Sequence, residues 1–309
     1  MKVGIVTVTF NSAEVLPDFI SSLKMQCFSN YVLYAVDNAS TDKGCALLRD
    51  EIPGATVVQN AVNLGFAAGT NQGIRKALDD ECDAILLLNN DVIFGPDLIE
   101  KLVDGINEFD CDMTAPMMYY HEPNGQIWAA GGALQPRLGF RPIHRGLDEP
   151  DRGQYQLPAR VTFAPFCCVL IRSSVFDRIG FLDEQYFTYT EDADFMLRCL
   201  KAGVALWYIP AARLWHKVSS LTGTLNMFSI RYGARNRAYF IAKHMPWFHR
   251  RIFNILYPTY YVLRHLFGLD SRQNCRIQLS AWAEGKRMLT NQQLDSTASA
   301  HETNELRNG

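Results

Sequence analysis

An α/β fold is predicted, with a mostly parallel sheet covered by helices on both faces and a basic, helical C-terminal region after it. Three observations lead there. Apolar, β-branched runs alternate with helix-length amphipathic segments over the first 118 residues, the pattern of parallel strands joined by crossover helices. Those runs end in polar clusters, Asn11-Ser12, Asp37-Asn38 and Asn89-Asn90-Asp91, and sheets of this kind bind ligands at the carboxyl ends of their strands. Charge also divides the chain. Residues 1–212 carry 16 Lys/Arg against 27 Asp/Glu, whereas residues 213–287 carry 13 against 2.

In chain order, residues 3–9 form a β-branched strand and 14–25 an amphipathic helix. Strands follow at 31–36, 55–59 and 84–88, with helices at 45–51, 69–78 and 96–108, the last opened by Pro96. Residues 119–160 are rich in Gly, Pro and Arg and read as loops or short hairpins covering a site. A strand at 162–171 and a helix at 192–200 come next. Gly203 stops that helix, and a strand follows at 204–209. Residues 228–269 hold eleven aromatic side chains and are divided into helical pieces by Pro246 and Pro258. The expected layout is 1–118 and 119–227 as two halves of one domain, 228–287 as the basic helical region, and 288–309 as a polar, disordered tail.

At 309 residues, 48% apolar and 20% charged, the chain is neither low-complexity nor disordered. No apolar run approaches the ~20 residues that span a bilayer. The chain opens directly on a strand, so a cytoplasmic protein is expected. Its eight cysteines show no CxxC and no regular spacing, which points to buried, reduced thiols.

A GxGxxG turn after the first strand, a P-loop and a GxSxG elbow are all absent. The usual dehydrogenase, ATPase and serine-hydrolase readings lose their support with them. Six segments in a fixed order are present: Thr7-Val-Thr-Phe-Asn11, Asp37-Asn-Ala-Ser-Thr-Asp42, Asn63-Leu-Gly-Phe-Ala-Ala-Gly-Thr-Asn71, Leu88-Asn-Asn-Asp-Val92, Tyr189-Thr-Glu-Asp-Ala-Asp194 and His216. Together they resemble family 2 glycosyltransferases of the GT-A (Rossmann-like) type, over roughly residues 1–245. The spellings Asn-Leu-Gly-Phe and Asn-Asn-Asp are most like the bacterial rhamnosyltransferase-type enzymes of surface polysaccharide synthesis.

The resemblance implies an inverting, metal-dependent sugar transfer from a dTDP- or UDP-sugar. A divalent cation, Mg2+ or Mn2+, neutralises a diphosphate leaving group when a carboxylate holds it and the phosphates complete its shell. Asp91 matches the last acid of the family's metal motif, with Asn89 and Asn90 where acids are usual. By itself, Asn-Asn-Asp is equally a turn after a strand. Asp37 matches the acid that meets the pyrimidine base, and an ionised carboxylate accepts only, which suits uracil or thymine. Thr9, Asn11, Asn38, Asn63 and Asn71 match positions that shape the same pocket. Gly65 and Gly69 are expected to let the backbone approach the nucleotide closely. Asp192 matches the general base, with Glu191 and Asp194 beside it as acceptor-side acids. All three also make a well-designed helix start. His216 is a second metal ligand or a structural histidine, and Trp128 and Tyr186 are sugar-stacking or core residues.

Arginines interleaved with aromatics in 228–269 suit an anionic membrane surface at the inner face of the cell membrane. That arrangement fits a saccharide acceptor linked to a lipid diphosphate. A homodimerisation or capping surface is the alternative. No nucleic-acid partner is expected, because no binding motif accompanies the charge. Outside this reading stand a nucleotidyltransferase, whose Gly-rich basic loop after strand one is lacking, and a non-catalytic sugar-nucleotide or glycan-binding relative, which intact Asp91 and Asp192 argue against.

Overall fold

The structure, a computed structural model, describes residues 1–217 and 227–305, with side chains as far as 289. It divides into two compact units, Met1–Leu221 and Thr222–Gly309. The boundary expected at 227/228 therefore falls a few residues later than the division, and residues 218–226 lie outside the described residues.

The first unit opens with the elements β1 (Val3–Thr9), α1 (Leu16–Lys24), β2 (Tyr31–Asp37), α2 (Gly44–Glu51), β3 (Thr56–Gln59), α3 (Phe66–Asp79), β4 (Ala84–Leu88), β5 (Val92–Phe94) and α4 (Leu98–Glu108). It continues with β6 (Met113–Tyr120), β7 (Ile127–Ala129), β8 (Gly132–Gln135), β9 (Arg141–His144), β10 (Ala159–Val161), β11 (Cys168–Arg172), α5 (Ser174–Ile179), α6 (Glu191–Lys201) and β12 (Leu206–His216). The main sheet runs β10-β12-β6-β11-β4-β1-β2-β3. Its β4-β1-β2-β3 half is parallel throughout, β6 and β12 are also parallel, and β11 enters antiparallel between β4 and β6. Ile5, Leu33, Leu86 and Leu170, all at most 1% exposed, form one core with Phe19 of α1 and Leu102 of α4. Burial on this scale, at about 25 cal/mol per Å² of apolar surface, fixes the layers. The strand ends are thereby held at one edge.

Two strands differ from expectation. Only Cys168–Arg172 of the run 162–171 joins the sheet, because Thr162 N–H and Phe163 N–H turn aside to Gly132 O. The strand expected at 204–209 instead runs on to His216, because Leu214, Trp215 and His216 pair with Phe94, Ile93 and Val92. Pro210 sits within the register shift between Ile209 and Arg213, where a missing N–H is tolerated. All eight cysteines are free, and seven are buried.

The second unit holds α7 (Met227–His244), α8 (Trp247–Leu266) and α9 (Arg272–Glu305). Pro246 caps α8, but Pro258 lies inside it and does not divide it. Neighbouring packing sustains that helix: Tyr257 stacks on buried Trp282 at 4.7 Å, and Trp282 Nε1 donates to Asn254 Oδ1 at 3.2 Å. Helix α9 continues to Glu305, in place of the disordered tail expected from 288, across a run rich in helix-favouring Gln, Leu, Ala and Glu. Residues 306–309 lie outside the described residues. Among the described residues, no helix is long and apolar enough to cross a membrane.

Candidate active site

The polar residues at the ends of β1 and β2 are mostly bonded to one another. Thr9 Oγ1 donates to Asp37 Oδ1 at 3.0 Å, and Ser40 N–H donates to Asp37 Oδ2 at 3.1 Å; Asp37 itself is 2% exposed. Asn11, left-handed at φ 51°, accepts from Thr41 N–H at 2.9 Å. The Asn38 amide donates to Gly65 O and accepts from Asn60, so it ties β2 to the loop before α3. Asn63 Oδ1 receives the Gly65 N–H at 2.9 Å.

Four residues of this group are already engaged with the protein itself. Gly65 makes room for protein and not for a nucleotide: at φ 86°, a Cβ there would lie 2.4 Å from Phe187 O. That same oxygen receives the Phe66 N–H. At Gly69 a Cβ would press on Val8 and the Asn38 amide. Asn71 is fully buried, donates to Leu182 O and Glu184 Oε1, and accepts from Leu182 N–H. It staples the segment before α6 onto α3. Asn38 likewise serves the framework, since both ends of its amide are taken.

The second group behaves differently. Asp91 follows β4, and the pairing of His216 with Val92 sets His216 beside it, with Nε2 3.2 Å from Asp91 Oδ1. Beyond that contact, Asp91 Oδ1 and His216 Nδ1 are buried without a hydrogen-bond partner among the described residues. Burial lowers the imidazole's proton affinity, but the neighbouring Cys167 sulfur and Asp91 outweigh it and raise the pKa to about 10. Trp128 packs edge-on against His216 at 4.5 Å and against His144 at 5.1 Å, which makes it a wall of this site. Asn90 does not face a ligand: its amide donates to Val8 O at 2.9 Å. Asn89 is held by its backbone N–H on Cys167 O.

Asp91 and His216 fit a divalent cation, the carboxylate directly and the imidazole once it gives up the proton that Asp91 favours, since a metal-ligating histidine must be neutral. Among the described residues no group of three such side chains exists. Protein would thus supply two ligands and leave the rest of the shell to phosphate oxygens and water, the usual arrangement for Mg2+ at a nucleotide.

At α6, Tyr189 (φ 66°) and Thr190 (φ 77°) are both left-handed. Such strain persists only where the surroundings impose it. It turns Glu191 inward, to 6% exposure, with Oε2 unpartnered among the described residues. Burial and the adjacent Asp192 hold the Glu191 carboxyl well above the usual range. Burial also pushes Asp192 up to about 6, against the opposing Ala193 N–H. Glu191 and Asp194 are the buried acids, and Asp192 between them is partly buried. Asp194 (0% exposed) is a framework residue, not an acceptor-side one, because Arg198 Nε donates to it at 2.9 Å and Tyr186 Oη at 3.2 Å. Tyr186 is core by the same contact. Phe187 carries no local signal in the sequence, since loop packing alone brings its backbone oxygen to Gly65 and Phe66.

Residues 4–180, more than half of the chain, match the family model described as Glycosyl transferase family 2. The chain is 24% identical over 302 residues to the N-acetylglucosaminyl-diphospho-decaprenol L-rhamnosyltransferase of Mycobacterium tuberculosis, covering 91% of this chain and 98% of that one. It is 25% identical to the dTDP-rhamnosyl transferase RfbF of Shigella flexneri, over 69% and 68% of the two chains. Its fold is similar to that of the mannosyltransferase PcManGT from Pyrobaculum calidifontis in complex with GDP-Man and Mn2+, with a TM-score of 0.57 and 14% identity over 97% and 80% of the chains.

Proposed function

The chain belongs to glycosyl transferase family 2, and on that premise we propose that it is an inverting, metal-dependent hexosyltransferase. The sugar, rhamnose by analogy with the rhamnosyltransferases it resembles, moves from a dTDP- or UDP-sugar to a saccharide acceptor. The acceptor is linked to a lipid diphosphate, as the name of the mycobacterial relative describes for that protein. The work is done at the cytoplasmic face of a membrane.

The observation that carries this reading is the pair of acids opening α6, Glu191 buried with Oε2 unpartnered among the described residues and Asp192 partly buried beside it, both raised above the ordinary carboxylate range. Asp192, as a carboxylate, takes the proton of the acceptor hydroxyl while that oxygen attacks the anomeric carbon. The bond from that carbon to the diphosphate oxygen breaks, and the nucleoside diphosphate leaves. One displacement opposite the leaving group inverts the configuration. Burial and the adjacent Asp192 favour the neutral form of Glu191, which limits negative charge beside the base. Asp91 and His216 would hold Mg2+ or Mn2+, which supplies positive charge to the departing diphosphate when bound. Asp37 supports the choice of a pyrimidine nucleotide, since its carboxylate only accepts and so meets the imide N–H of uracil or thymine.

The test is to incubate the protein with dTDP- and UDP-sugars, a lipid-diphosphate-linked saccharide and Mg2+ or Mn2+, and to read the product's anomeric configuration by NMR. Inversion with a metal requirement is expected. Retention of configuration would overturn the mechanism.

A further inference from the structure

Helix α8 is amphipathic the wrong way round for a helix that packs on its own unit and shows a polar face to water. The side facing its own unit carries polar and aromatic anchors: Asn254 and Tyr257 on Trp282, Tyr257 on Arg237, and Tyr261 at 7% exposure. The other side is apolar and open. Phe248, Ile252, Ile255, Leu256, Leu263 and Leu266 recur at helical spacing along it, with Ile255 67% and Leu266 71% exposed. An unbroken face of this kind marks a contact surface. Cations bracket it. His249, Arg250 and Arg251 stand at one end and Arg264 and His265 at the other, while residues 252–263 carry no charged side chain. The whole stretch 228–269 contains no acidic residue and seven Lys/Arg.

We propose that the outward face of α8 is an in-plane anchor on an anionic lipid surface. Its apolar side enters the boundary between headgroups and acyl chains, and Arg250 and Arg251 at its start meet the phosphates, Arg264 at the other end being paired with Asp270. Charge complementarity selects lipid as the occupant: Arg264 is paired with Asp270, but Arg250 and Arg251 have no carboxylate partner among the described residues, and a second copy of the same face would offer them none. At 20 residues the helix is ~30 Å long. It lies on the surface, consistent with the absence of a spanning helix among the described residues. The inference deepens the proposed function, resting on the reading that the acceptor is lipid-linked, and it assigns that membrane contact to one helix face.

The full chain is mixed with vesicles of phosphatidylglycerol or of phosphatidylcholine and sedimented, and its mass in solution is measured alongside. Binding to phosphatidylglycerol is expected, with release by salt as screening shortens to ~8 Å. The triple variant Ile255→Gln, Leu256→Gln, Leu266→Gln should bind at least tenfold more weakly. These side chains are exposed, so its unfolding temperature and nucleotide-diphosphate affinity should match the unchanged protein. Arg250→Gln with Arg251→Gln should weaken binding and flatten its salt dependence. No sedimentation at low salt, or a triple variant that sediments like the unchanged protein, would overturn the proposal. So would a dimer that the triple variant dissolves in the absence of vesicle binding, because the face would then belong to a second copy. Vesicle binding without sugar transfer would spare the anchor and refute the proposed function; transfer to a water-soluble acceptor without vesicle binding would do the reverse.

Discussion

Two polar regions share the carboxyl edge of the sheet and look alike in sequence, yet they are built on opposite principles. Around β2 and α3, the side-chain amides of Asn38 and Asn71 are taken up at both ends by protein partners. Around β4, α6 and β12, Asp91, Glu191 and His216 each keep a buried atom without a hydrogen-bond partner among the described residues. A buried polar group costs free energy unless it is paired. Thr7 and Thr70 of the first region also keep a buried hydroxyl without a partner among the described residues, so the difference lies in charge: of the two regions, the second is the one that leaves ionisable groups unmet, at a cost a bound ligand would offset. In this site a motif residue's unmet hydrogen-bonding capacity says more about function than its place in the motif.

Substitutions sharpen that contrast, and the largest effect belongs to the second region. Asp192→Asn should lower turnover ~10²–10⁴-fold, with donor affinity nearly unchanged in calorimetry, because an amide cannot take the acceptor proton. Asp194→Ala should instead lower stability by about 3 kcal/mol in denaturant unfolding, since Arg198 loses the carboxylate it pairs with at 2.9 Å. Gly65→Ala should cost on the order of 1–3 kcal/mol, because a Cβ meets Phe187 O at a left-handed φ. An equal loss of turnover in all three would erase the distinction.

The smallest effect is a pH dependence with two opposite signs. Asp192 must be ionised to act, so the rate should fall as pH drops through about 6. Its pKa in the fold lies above the unfolded value, so protonation favours the folded state. That contribution to stability is fully present below the unfolded pKa and is lost as pH rises through about 6. Rate and stability profiles should therefore cross, and profiles moving together would mean that the titrating group is another one.

Much of this was legible in sequence, and what was not has a physical reason. Apolar runs and their polar ends gave β1, β2 and β4 because strand burial is a local pattern. The extension of β12 to His216 was not, because Arg213-Leu-Trp-His216 becomes a strand only by pairing with 92–94. Motif resemblance picked out Asp91, Asp192 and His216. It could not separate them from Asn38, Asn71 and Asp194, since whether an amide or carboxylate is already satisfied depends on partners such as Leu182 and Arg198, which no local spacing reveals. Pro258 misled in the same way, because packing against α9 overrides a helix-breaking residue.

The central claim, that unpaired groups serve the reaction and paired ones the fold, is tested most directly by measuring two isosteric or near-isosteric variants, Asp91→Asn and Asn71→Leu, side by side. Metal-dependent affinity for a nucleoside diphosphate and unfolding free energy are read for each. Asp91→Asn should lose the metal-dependent part of the affinity, with any loss of stability confined to its contact with His216 at 3.2 Å. Asn71→Leu should keep the affinity and lose ~1–3 kcal/mol for each backbone group of Leu182 left unpaired. Unchanged metal-dependent affinity in Asp91→Asn, or lost affinity in an Asn71→Leu protein that remains folded, would contradict the account.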